Sequence, residues 1–122
     1  MKKINKEIKR FVIAGFAAVS TDLVTYYIML NFFKFDIAKM LSFFLGSIVA
    51  FMINKYWTFE KYKKSYKQII KFGILYITTL AANIIINHFA LYLLELVFLA
   101  FLIATGVSTI LNFLGQKFWV FK

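Results

Sequence analysis

Residues 11–33 read FVIAGFAAVSTDLVTYYIMLNFF, an apolar run interrupted by a single charge, at Asp22. Its length is close to the roughly 20 residues an α-helix needs to cross a hydrocarbon core. A carboxylate inside it costs several kcal/mol unless something nearby satisfies it. The run therefore raises two questions, what solvent this helix lives in and what Asp22 is for.

The rest of the chain answers the first. Three more apolar runs follow, at about Ile37–Ile53, Phe72–Leu94 and about Leu96–Leu114. Of the 122 residues 62% are apolar and 16 are Phe, more apolar surface than an aqueous fold of this size can hide. The sequence predicts an all-α integral membrane protein with four transmembrane helices.

The net charge of +10 is distributed by side rather than by patch. Lys2, Lys3, Lys6, Lys9 and Arg10 precede the first span. Lys55, Lys61, Lys63, Lys64, Lys67 and Lys71 lie between spans two and three, and Lys117 and Lys122 follow the fourth. Only Lys34 and Lys39 fall in the first short connection, so thirteen basic residues are on one side and two on the other. The positive-inside rule then puts both termini and the middle loop in the cytoplasm of a cell-membrane protein. Orientation and attraction to anionic membrane lipids account for the charge, so no nucleic-acid partner is expected. MKKINKEIKRFVIAGFAAVS has the order of a signal peptide, but the apolar run continues to Phe33, which is span length. Met1–Arg10 reads instead as a short basic segment on the membrane surface. There is no cysteine, and His88 alone cannot form a metal site.

The two halves repeat. RFVIAGFAAVSTDL aligns with KFGILYITTLAANI at an offset of 61, setting Asp22 against Asn83. IVAFMINKYWTF aligns with ILNFLGQKFWVF at an offset of 62, with five identities in twelve positions. Asn54 then matches Gln116, Lys55 matches Lys117 and Trp57 matches Trp119. One transmembrane domain of two helical hairpins follows, with repeat one at about 10–59 and repeat two at about 71–121.

The Arg-Phe pair opening span one, the mid-span Asp, FMINKYWTF at the end of span two and its echo FLGQKFWVF together resemble the GtrA family, which includes the GtcA-like proteins of teichoic acid glycosylation. The resemblance implies a part in cell-surface polysaccharide biosynthesis. It also implies a flippase role, moving a polyprenyl-phosphate-linked sugar from the cytoplasmic to the outer leaflet. Gln116 and Val120 depart from the first copy of the motif.

Helical spacing collects Gly15, Ala18, Asp22, Thr25 and Tyr26 on one stripe of span one, and Ser42, Gly46, Ala50 and Asn54 on span two. Thr79, Asn83 and Asn87 do the same on span three, and Thr105, Ser108, Asn112 and Gln116 on span four. Small residues at this spacing serve close helix packing. Asn83 and Asn112 are equally readable as interhelical glue or as contacts for sugar hydroxyls in a common interior. Asp22 is expected to face that interior with Asn83, Asn87 or His88 as partner, either fixing the packing or serving as a substrate or proton site. At the span ends Lys55, Trp57, Lys117 and Trp119 are interfacial anchors or a substrate site. In the latter case ammonium groups hold the lipid phosphate and aromatic rings stack on the sugar, with Arg10 and Lys71 sharing the task.

No nucleophile–base pair points to catalysis by this chain. A separate membrane glycosyltransferase is expected to make the substrate, and no cofactor is expected. Four helices enclose little space, which leaves room for a homodimer. Two other functions fit the same features: a proton-coupled transporter like the small multidrug resistance family, and a non-transporting subunit that stabilises a glycosyltransferase. Strong charge asymmetry argues against the first, whose dual-topology members need a weak bias.

Overall fold

The computed structural model describes residues 2–122. Among them are four long helices and no strand: α1 Lys2–Met29, α2 Phe35–Ile53, α3 Tyr66–Leu94 and α4 Val97–Gly115. A π-helical turn extends α2 over Asn54–Thr58, and a second extends α4 over Gln116–Val120. All four helices, counted with these extensions, are long and apolar enough to cross a membrane. The chain divides into two compact units, Met1–Lys63 and Lys64–Lys122, and each holds one helical hairpin.

In the first unit, α1 begins well before the apolar run. Residues 2–10 are its opening turns, not a separate surface segment; Met1 lies outside the described residues. Lys, Glu, Ile and Arg favour helix, no Gly or Pro occurs before Gly15, and extending an existing helix costs little. With 28 residues α1 is about 42 Å long, enough to carry its basic turns beyond a hydrocarbon core of about 30 Å. The helix also ends earlier than Phe33. The Asn31 side-chain amide donates to the Ile28 carbonyl at 3.3 Å, capping the last turn as the chain reverses. Lys39, expected in this connection, lies inside α2.

The α1–α2 contact is made of small residues. Ala14, Ala38, Ser42 and Ala50 are buried, and the two backbones approach closely at Gly46. A Cβ built on Gly46 would stand 2.9 Å from the Ala18 carbonyl oxygen and 3.2 Å from the Asp22 Cβ. With lipid outside, packing of this kind holds helices together where hydrophobic burial cannot.

In the second unit, Ser65 caps α3 by accepting the Gln68 amide N–H at 3.4 Å. Glu95 ends it in the left-handed region, φ 56°, with its N–H donating to Leu91. Leu96 then starts α4 without further loop, so the hairpin is as tight as the sequence indicated. Ala100, Ala104, Ser108 and Phe113 of α4 are buried, as are Phe72 and Thr79 of α3. Large side chains cover the outer faces of both units: Phe16 is 71% exposed, Ile77 71% and Phe98 72%. Such surfaces suit lipid and not water.

Candidate functional site

The motif that ends each repeat folds the same way twice. In the first copy the Phe59 N–H donates to the Asn54 carbonyl at 2.8 Å, and in the second the Phe121 N–H donates to the Gln116 carbonyl at 2.8 Å. Both bonds span five residues, one more than an α-turn, and single π-turns of this kind are concentrated at functional sites. The wider turn sorts the motif into two faces. Asn54, Lys55, Thr58 and Phe59 are buried, as are Gln116, Val120 and Phe121, while Trp57 and Trp119 stay exposed.

Each exposed indole is covered by the cation that opens its own hairpin. The Arg10 guanidinium carbon is 4.9 Å from the Trp57 ring centroid, and the Lys71 Nζ is 5.6 Å from that of Trp119, both within cation–π range. Arg10 and Lys71 are repeat equivalents, so the sequence alignment and the side-chain geometry coincide. Lys55 sits differently from the expected phosphate-binding lysine. It is 2% exposed, and its ammonium donates to the Lys63 carbonyl, tying the π-turn to the segment that leaves it. Lys117 is half-buried.

The first copy carries more charge around its indole. Arg10 Nη1 donates to the Trp57 carbonyl at 2.7 Å and to Glu60 Oε1 at 3.0 Å, while Lys6 Nζ donates to the same carboxylate oxygen at 2.8 Å. The hydrogen bond from Lys6 and its charge, with Arg10 beside it, hold the Glu60 carboxyl below the usual glutamate value. Glu60 adopts φ 53°, a left-handed conformation uncommon outside glycine and asparagine. An open groove of about 510 Å³ runs along the start of α1 beside Trp57, lined by Lys6, Lys9 and Arg10 among others.

Thr58 and Val120 explain the departure of the second motif. The Thr58 hydroxyl donates to Asn54 Oδ1 at 2.8 Å, a bond that fixes the short amide. Val120 has no hydroxyl to offer, and the longer Gln116 stands in place of Asn54 there.

Asp22 has a partner, and it is Lys39 rather than Asn83, Asn87 or His88. The ammonium lies 3.1 Å from Oδ1 and 3.0 Å from Oδ2, and also 5.7 Å from the Tyr26 ring centroid. Lys39 lies nearer the turn than Gly46, the α2 position beside Asp22, and its long side chain reaches back along the hairpin to the carboxylate. In repeat two the amides bond across their own hairpin. Asn83 Nδ2 donates to Ser108 Oγ at 3.0 Å, and Thr79 Oγ1 donates to Asn112 Oδ1 at 3.0 Å, the interhelical glue reading of these residues. Asn87 is half-buried one turn farther along α3, and His88 is exposed.

The model of the GtrA/DPMS transmembrane domain matches residues 10–121, nearly the whole chain and both π-turn motifs. The chain belongs to this family. It is a multi-pass membrane protein linked to glycosylation or to the handling of sugar-linked lipids. The match begins at Arg10 and closes at Phe121, so it takes in the cation that opens the first hairpin and the aromatic that closes the second.

Proposed function

We propose that this protein helps a polyprenyl-phosphate-linked sugar cross the cytoplasmic membrane, with the basic ends of both hairpins on the cytoplasmic side. The observation that carries the reading is the duplicated pairing of a cation with an exposed indole, Arg10 on Trp57 and Lys71 on Trp119. A phosphate needs a cation, a sugar ring stacks on an indole face, and a membrane-linked donor presents both together. The chain serves as a carrier or guide and makes no bond itself; a separate glycosyltransferase charges the lipid.

The test is surface glycosylation in a strain carrying Arg10→Ala with Lys71→Ala, normalised to membrane protein level. Loss of most glycosylation at normal abundance is expected, with partial recovery in Arg10→Lys, which keeps charge but not the planar fork. Full glycosylation in the double variant would refute the reading. Reporters fused after Lys34 or Glu95 should read external and those after Lys64 or Lys122 cytoplasmic; mixed signals would refute the orientation.

A further inference from the structure

The charge at the start of α1 exceeds what pairing with an indole requires. Lys2, Asn5, Lys6, Lys9, Arg10 and Trp57 line one groove. Two of those cations, Lys6 and Arg10, are held by a single carboxylate oxygen of Glu60, at 2.8 and 3.0 Å. Glu60 itself is not part of the groove lining. Its side chain is 45% exposed, and those of Lys6 and Arg10 are 51% and 25% exposed, so these bonds exchange with solvent at modest cost. Arg10 engages Glu60 and the Trp57 carbonyl through Nη1 alone. A guanidinium carries five N–H donors, and the remaining ones make no hydrogen bond among the described residues. Glu7, the nearest other acid on α1, is buried and does not line the groove.

The second repeat has no such acid. With the motif offset of 62, Glu60 corresponds to Lys122, so the counter-charge belongs to one copy only. The Glu60 backbone takes the left-handed conformation as the chain leaves the π-turn, with the Lys61 N–H donating to the Lys55 carbonyl at 2.7 Å.

We propose that this groove seats the phosphate of an anionic lipid and that Glu60 is its internal competitor, holding Lys6 and Arg10 until the phosphate takes them over. This rests on the transport reading above and adds to it a named site and an asymmetry between the repeats. The lipid source follows from the lining: Ile13 and Trp57 border the groove where α1 enters its apolar run, next to where an acyl or prenyl chain would continue. Such a competitor weakens resting binding and lets a phosphate be released again, which a carrier requires.

The experiment uses the full chain in phosphatidylcholine nanodiscs with Trp119→Phe, so that Trp57 fluorescence alone reports. Titrants are farnesyl monophosphate, farnesol and inorganic phosphate. Farnesyl monophosphate should saturate the signal, and the other two should bind at least tenfold more weakly. Glu60→Gln should tighten farnesyl monophosphate binding by about five- to tenfold, within the usual range of coupling between two sites. Glu60→Gly should do the same while relieving the left-handed backbone, so a folding defect in either variant does not leave the question open. Lys6→Gln should weaken binding several-fold. Unchanged or weaker binding in both Glu60 variants would overturn the competitor role, and inorganic phosphate binding as tightly would overturn the lipid assignment. Neither result touches the glycosylation test of Arg10 and Lys71, so the two proposals fail separately.

Discussion

The Lys39 ammonium stands 3.0 Å from the Asp22 carboxylate, joining α1 to α2 by an ion pair within one hairpin. Asp22 is 19% exposed at its side chain and Lys39 59%, so the carboxylate is the half that depends on the pair. In lipid neither has another ready source of hydrogen bonds.

Asp22→Asn and Lys39→Gln should each destabilise the protein, and the double variant should recover part of the loss. We expect a coupling of about 1–2 kcal/mol, in the range for contacting pairs. Unfolding in mixed micelles, run as a double-mutant cycle, measures it. If surface glycosylation is lost in Asp22→Asn and returns in the double variant, the pair acts by holding the hairpin. If it stays lost, the carboxylate has a role beyond the ion pair.

Gly46→Ala should cost about 1–3 kcal/mol, because its new methyl meets the Ala18 carbonyl oxygen and Asp22 Cβ, neither of which can swing away. Gly106→Ala has open space within 4 Å and should be neutral or slightly stabilising. Equal effects in the same micelle unfolding assay would contradict the close approach of α1 and α2 at Gly46.

Thr58→Val removes the hydroxyl that donates to Asn54 and should cost about 1 kcal/mol. Combined with Asn54→Gln it recreates the second motif's own choice, and stability should largely return. A double variant worse than the sum of its parts would show that the two motifs are not interchangeable solutions.

The Lys6–Glu60–Arg10 cluster should persist to low pH. The partners hold the Glu60 carboxyl below its ordinary value, so their contribution is complete above the unfolded glutamate pKa, about 4.3. It is lost only as pH falls through the lowered folded value. Trp57 emission in the Trp119→Phe protein should be flat from about pH 8 to about pH 5 and change only below about 4. A transition near neutral pH would mean that another group controls the cluster.

The four spans and the tight α3–α4 turn were legible in the sequence, because hydropathy reports directly on them. Charge and repetition put Arg10 and Lys71 on the same side as the motif tryptophans, but the stacking of each cation on its indole was not foreseen. Nor was the partner of Asp22. A lysine near a span boundary reads as loop when charge alone is counted, and only the folded hairpin shows its long side chain reaching Asp22. The inward turn of Lys55 was hidden for a different reason. A π-turn uses the same residue types as an α-turn, so composition does not reveal that the motif has rotated. Glu60 was passed over as one acid in a basic loop, since nothing local announces that Lys6 and Arg10, some fifty positions earlier, converge on it.

The paired π-turns also bear on history. A hydrogen bond that spans five residues instead of four accommodates one residue more than the helix requires, the local outcome of a single-residue insertion. Every side chain beyond such an insertion is turned by about 100°, one residue's share of a 3.6-residue turn. The extra residue falls at the same place in both halves, Asn54–Thr58 and Gln116–Val120, with the tryptophan at the same step after it. Two separate insertions would have to choose the same site and keep the same rotation. One insertion in a single hairpin, copied when that hairpin was duplicated, would account for both turns with one event.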